Sequence, residues 1–181
     1  MEFTEKQISS RRIYKGRIVG LREDTVELPG GKVAKREIVE HPGAVAVIAL
    51  TNKDEIVLIK QYRRPAQEVL LEVPAGLVHK DETPAEAAKR ELEEETGFRA
   101  KNIKKIFESY ASPGYSTEVI QYFLATDLEK KFQKTEEDEL IAVELYKISD
   151  CYKMIKEDKI RDNKTIIGVM IAGKGLNEKI Y

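Results

Sequence analysis

The chain reads as an α/β protein: an α/β/α sandwich with a mixed β-sheet, preceded by a small N-terminal antiparallel β-sheet. Three observations predict this. Apolar runs of strand length flank one strongly signalled helix, over 44–51, 56–62 and 69–73 before it and 103–110, 118–125 and 141–147 after it. Such an interleaving of strand and helix patterns marks layered α/β folds. Residues 11–40 carry β patterns alone, and His41-Pro42-Gly43 then breaks the chain, as a proline-glycine pair does. A boundary there separates an N-terminal β-sheet region, 1–41, from a larger domain, 42–181.

Each element has its own signal. Ile13 to Leu28 alternates roughly, Pro29-Gly30-Gly31 makes the turn, and Lys32 to Glu40 returns, the pattern of paired antiparallel strands. Strands 44–51 and 56–62 are joined by Asn52-Lys53-Asp54-Glu55, and Val69 to Val73 leads directly into a loop. Thr83-Pro84-Ala85-Glu86 is a capping box with proline at the first helical position, so a helix starts at Pro84,. Gly97 is placed to end it in the left-handed conformation. Ala85, Ala88 and Leu92 share one side of that helix and should face a core. After the strand at 141–147, Ser149 can cap a helix running to about Glu157, and Asn163 can cap a last one through Met170,.

Composition narrows the function. The longest apolar run, Ala44 to Leu50, is strand-length, and with no signal peptide before it no membrane partner is expected,. A net charge of −1 argues against a nucleic-acid binder that relies on a basic face,. A single cysteine, Cys151, excludes an internal disulfide, fits a reducing cytoplasm and is expected to be structural,.

Four of the five residues from 91 to 95 are glutamates. Glu91 and Glu95, four apart, stack on one stripe of the helix, and Glu94 sits on the next. Like charges at this spacing cost a few tenths of a kcal/mol per pair, and the C-terminal end of a helix disfavours anions. Most such runs are solvated acidic faces. Here the flanking glycines and Arg90 tell against that reading. A divalent cation relieves clustered carboxylates, and oxygen ligands without His or Cys point to Mg²⁺ or Mn²⁺.

Gly76, Glu82, Arg90, Glu91, Leu92, Glu94, Glu95, Gly97 and Phe98 fit one spaced pattern over a loop-helix-loop element. On these positions the chain resembles the Nudix hydrolases, whose fold is the sandwich expected above. Phe98 stands where an aliphatic residue is commoner, which should affect packing rather than chemistry. The resemblance implies that Glu91 and Glu95 bind metal with the carbonyl of Ala75. Glu94 lies close by in the catalytic set, Arg90 holds a carboxylate in place, and Glu82 supports the loop. Pro113, sixteen positions after Gly97 within SYASPGYSTEVIQYFLA, resembles the ADP-ribose pyrophosphatase branch. That branch implies Mg²⁺-dependent hydrolysis of ADP-ribose to AMP and ribose 5-phosphate. The alternatives are another nucleoside diphosphate sugar such as GDP-mannose, or a non-catalytic nucleotide-sensing module, against which the intact charged positions tell.

The same branch implies roles further along the chain. Its Glu-x-Glu on a closing loop falls on Glu137, as general base, and Glu139, as metal ligand, with Glu136 the rival base. Arg36 and Arg63 match arginines that contact the ligand beside Pro113, while Arg64 pairs with Glu68 or faces solvent. The N-terminal sheet implies a homodimer, with Tyr14, Ile18 or Val19 at the interface or against adenine.

Overall fold

The structure, a computed structural model, describes residues 3–133 and 140–173. Two compact units make it up: Met1–Gly43 with Ser109–Ile120, and Ala44–Glu108 with Gln121–Tyr181.

The first unit holds a three-stranded antiparallel sheet of β1 (Lys6–Lys15), β2 (Gly20–Glu27) and β3 (Val33–Glu40), in that order. The run from Ile13 to Leu28, expected as one strand, is therefore parts of two. They are joined by a turn in which the Gly16 amide donates to the Val19 carbonyl at 2.8 Å. The alternation over 13–28 is imperfect for a second reason. The β1–β2 register shifts between Gln7 and Ser9 and between Arg12 and Tyr14, at Ile8 and Ile13; bulges of this kind break the period of two. The turn after Leu28 forms as expected, with Gly30 and Gly31 both at positive φ.

The second unit contains two sheets. One has the order β10-β5-β6, from β10 (Ile141–Lys147), β5 (Glu55–Arg63) and β6 (Glu68–Glu72), with antiparallel neighbours. The other has the order β7-β4-β9-β8, from β7 (Ala75–Leu77), β4 (Ala44–Ala49), β9 (Val119–Lys130) and β8 (Phe98–Tyr110). Three helices complete it: α1 (Pro84–Thr96), α2 (Ile148–Lys156) and α3 (Asn163–Gly173). Strand β4 is covered on both faces. Its odd residues Val45, Val47 and Ala49 pack with Ala87, Ala88 and Leu92 of α1, whereas Ile48 lies against Gly168 of α3. Because strand residues alternate between faces, α1 and α3 lie on opposite sides, the layering expected of an α/β sandwich. Phe98 packs against the same core cluster.

Helix α1 starts and stops where its sequence signals lie. The Thr83 side chain accepts from the Glu86 amide, Glu86 Oε2 accepts from the Thr83 amide at 2.8 Å, and Gly97 caps the end at φ 66°. The other two helices start differently from the expectation. Ser149 lies inside α2 rather than capping it; β10 runs straight into the helix, and the Ile148 amide finds the Asp54 carbonyl instead. Asn163 is the first residue of α3, and Asp162 caps it by accepting the Thr165 amide at 2.9 Å.

Candidate active site

The site is assembled around the loop between β7 and α1. In β7, Gly76 pairs with Val45 of β4. A side chain at Gly76 would occupy the space of the Glu91 carboxylate, with a Cβ 2.6 Å from Oε2 and closer still to the rest of it. The missing side chain is thus a cradle that seats Glu91 against the strand. One residue earlier, the Ala75 amide donates to Oε2 of the buried Glu95 at 2.9 Å. Ala75, Glu91 and Glu95, expected from the sequence to act together, converge here.

Arg90 ties the rest of the cluster. Its guanidinium donates to Glu82 at 2.7 Å, to Glu91 at 2.7 Å, to Glu94 at 3.0 Å and to the Leu77 carbonyl at 3.0 Å. Arginine's rigid fork can serve several acceptors at once. These bonds, led by the one to Glu82, push the Arg90 pKa further up, and the same contact holds the Glu82 carboxyl below its ordinary value. Arg90 thus pairs with three carboxylates and one backbone carbonyl at the start of the loop. A donor set of carboxylates suits a hard divalent cation. Among the described residues, no three carboxylate, imidazole or thiolate groups gather closely enough to hold an ion by themselves.

Arg63, at the end of β5, is engaged by a partner that the sequence did not reveal. Its Nε and Nη2 donate to the two oxygens of Glu72 at 2.7 and 2.8 Å. The Glu72 side chain is 1 % exposed and also receives Lys164 of α3. Burial raises its pKa, but the two cations outweigh that and leave it lowered overall. Arg63 in turn is raised, first by Glu72, with the field of Glu95 contributing. The one available signal was a lone carboxylate inside the apolar run Val69 to Val73. Glu68, an expected partner for Arg64, pairs instead with Arg161.

Within the first unit, Arg36 on β3 forms a two-pronged bond with Glu5, at 3.0 and 2.6 Å. Pro113 lies in a turn whose Ser112 carbonyl accepts the Tyr115 and Ser116 amides. Residues just after the turn are stitched to the same strand, Val39 donating to Tyr115 at 2.8 Å and Thr117 donating to Val39 at 3.0 Å. The structure therefore joins the Pro113 turn to the strand that carries Arg36. Glu136, Glu137 and Glu139 lie outside the described residues. Cys151 is buried, its thiol pushed up to about 11 by burial, which makes it unreactive. No helix among the described residues is long and apolar enough to cross a membrane.

A loop and helix that gather carboxylates, set on a layered α/β domain, thus form the candidate site. The chain belongs to the Nudix family and is a Nudix hydrolase: the NUDIX domain matches residues 40–167, and the nucleoside diphosphate sugar hydrolase N-terminal domain matches residues 5–39. Nudix hydrolases generally use divalent metal ions. Methanol dehydrogenase activator of Bacillus methanolicus is 44 % identical over 92 % of this chain and 91 % of that protein. ADP-ribose pyrophosphatase of Bacillus subtilis is 42 % identical over 91 % of this chain and 90 % of that protein. GDP-mannose pyrophosphatase of Yersinia enterocolitica is 35 % identical over 82 % of this chain and 83 % of that protein. In fold, the chain matches the crystal structure of an ADP compounds hydrolase with a TM-score of 0.84 at 18 % identity, covering 96 % of this chain and 95 % of that one.

Proposed function

We propose that this chain is a Mg²⁺-dependent ADP-ribose diphosphatase of the cytoplasm that hydrolyses ADP-ribose to AMP and ribose 5-phosphate. The observation that carries this reading is the 42 % identity to an ADP-ribose pyrophosphatase, which extends across 91 % of the chain. Glu91, Glu95, the Ala75 carbonyl and Glu139 would hold the metal; Mn²⁺ suits the same oxygen donors. When bound, the ion neutralises charge on the diphosphate and sharpens a water as nucleophile.

The chain's own residues do the rest. Glu137 takes the proton from the attacking water, and the leaving phosphate departs on AMP or on the sugar. Arg36 and Arg63 bind phosphate oxygens through guanidinium edges. Glu72 takes the Nε/Nη2 edge of Arg63. Arg90 keeps Glu91 and Glu94 aimed, and Ala75 does the same for Glu95.

A homodimer through the N-terminal sheet belongs to the same proposal. All ten residues of β1 are exposed in the single chain, with Ile8 at 53 % and Ile13 at 49 %. A strand open on both faces in this way calls for a partner. Light scattering on the purified chain should give twice the monomer mass, and a monomer at working concentration would reject this part.

The activity test is product release from ADP-ribose, GDP-mannose, NADH, a diadenosine polyphosphate and an oxidised guanine nucleotide, with Mg²⁺ and with EDTA. Preference for ADP-ribose, abolished by EDTA, is expected; preference for GDP-mannose would transfer the reading to the other branch. A second reading is favoured by the 44 % identity to methanol dehydrogenase activator. The chain would then activate a methanol dehydrogenase, as that relative's name describes. Faster turnover of a methanol dehydrogenase on addition of the chain would select it.

A further inference from the structure

Helix α3 contacts the short segment between β6 and β7, which leads into the site, through a hydroxyl that no catalytic role uses. Thr165 is fully buried. Its Oγ1 donates to Asp162 Oδ2 at 2.6 Å and accepts the Val73 amide at 2.7 Å. The side chain of Asp162 is held in turn by Lys164 at 3.0 Å, and Lys164 also reaches the buried Glu72. Two consecutive residues, Glu72 by its side chain and Val73 by its backbone, are therefore gripped by the first turn of α3. The helix can come this close because Gly168, three residues on, has no side chain; a Cβ there would lie 3.2 Å from Ile48 and 3.4 Å from Val73.

The two residues after Val73 carry this grip into the site. The Pro74 carbonyl accepts the Val47 amide at 2.8 Å, and the Ala75 amide then holds Glu95 Oε2. The path from Thr165 to a carboxylate of the site is thus one hydroxyl, three backbone residues and a hydrogen bond at each end. Groups that orient metal ligands in this way commonly govern metal affinity. We infer that Thr165 is a positioning residue for the metal centre: its hydroxyl, locked by Asp162, fixes the turn at 73–75 and through the Ala75 amide sets the aim of Glu95. The inference rests on the reading of Glu95 as a metal ligand.

Valine in place of Thr165 keeps the shape but leaves the Val73 amide buried without its acceptor, a situation that a short turn relieves by shifting. The test is Mn²⁺ binding to the full metal-free chain, without substrate, followed by the electron paramagnetic resonance of free Mn²⁺. Thr165→Val should weaken binding, by up to the roughly tenfold to hundredfold that follows loss of a group bonded directly to a ligand, and Thr165→Ser should restore it. Val169→Ala, on the same helix and equally buried, should lower the melting temperature without weakening Mn²⁺ binding. That separates positioning from general loosening of α3. Wild-type affinity in Thr165→Val, or equal weakening in Val169→Ala, would overturn the inference. Should Thr165→Val not fold, Asp162→Asn carries the test, with a smaller weakening expected and wild-type affinity again overturning it. Glu95→Gln separates the two readings: if it binds Mn²⁺ normally, the ligand assignment has failed. If it is weakened while Thr165→Val is not, only the positioning role has failed.

Discussion

Replacing Gly76 with alanine should separate catalysis from folding. Gly76 lies in a strand and is not among the residues with positive φ, so alanine fits the backbone. The atoms nearest the added methyl are those of the Glu91 carboxylate, the far end of a flexible side chain. Turning that side chain off its preferred rotamer costs about 0.5–1.5 kcal/mol. The reduced freedom of the unfolded chain returns about 0.4–1 kcal/mol. The two nearly cancel, so the melting temperature should move by no more than about 2–4 °C, the shift per kcal/mol for a chain of this size. Turnover is another matter. The displaced group is a carboxylate of the site, and a misplacement on the order of 1 Å can cost about 10²-fold. The assay pairs a thermal melt with Mg²⁺-dependent hydrolysis of ADP-ribose and Mn²⁺ binding. Wild-type turnover with wild-type metal affinity would refute the cradle argument, and loss of the folded state would refute the claim that Glu91 yields cheaply.

Other perturbations have equally definite outcomes. Glu95→Gln should lower kcat severely, because the metal loses a charged ligand, and Mn²⁺ titration should weaken in parallel. Glu137→Gln should cost on the order of 10² to 10⁴ in kcat, the usual contribution of a general base; nearly full activity would move that role to Glu136. Arg90→Lys cannot serve Glu82, Glu91, Glu94 and the Leu77 carbonyl together, so a raised Mg²⁺ requirement and a lower melting temperature are expected. Glu72 has its folded pKa lowered, so its stabilisation is complete above the unfolded carboxyl value of about 4.3. It is lost as pH falls through the folded value. Urea midpoints measured from neutral to acid pH should therefore fall less steeply for Glu72→Gln than for the wild type. At neutral pH that variant should be less stable by about 3–5 kcal/mol, the cost of breaking a buried pair from one side.

The parts of the fold that were legible in the sequence are those written in neighbouring residues. Thr83, Pro84, Glu86 and Gly97 state the limits of α1 because caps act within a single turn. The strands over 44–49 and 141–147 were readable as apolar runs. Strands β8 and β9 extend further than their apolar stretches suggest. In β8, an edge strand, the added residues Phe98 and Ala100 pack on the core while Arg99 and Lys101 are exposed, an alternation of only four residues. Three-residue β7 escaped notice because it is defined by its pairing with β4, not by composition. The same holds in the site. Glu91, Glu95 and Arg90 lie within one helix and announce themselves by spacing. The bond from Arg63 to Glu72 joins two strands, and the contacts of Lys164 with Glu72 and of Thr165 with Val73 cross 92 positions. No local pattern encodes such meetings. For Glu137 and Glu139, the sequence remains the sole guide.

Strand β4 presents Val45, Val47 and Ala49 to α1 and Ile48 to α3. A strand used on both sides has no spare register: gaining or losing one residue within it would exchange the two sets of side chains. The pocket shaped for the catalytic helix would then receive the residues fitted to the other helix. Substitutions in β4 can be absorbed one at a time, but length changes cannot. A residue inserted in the turn at 52–54 should leave both helices in their seats, whereas one inserted within β4 should not.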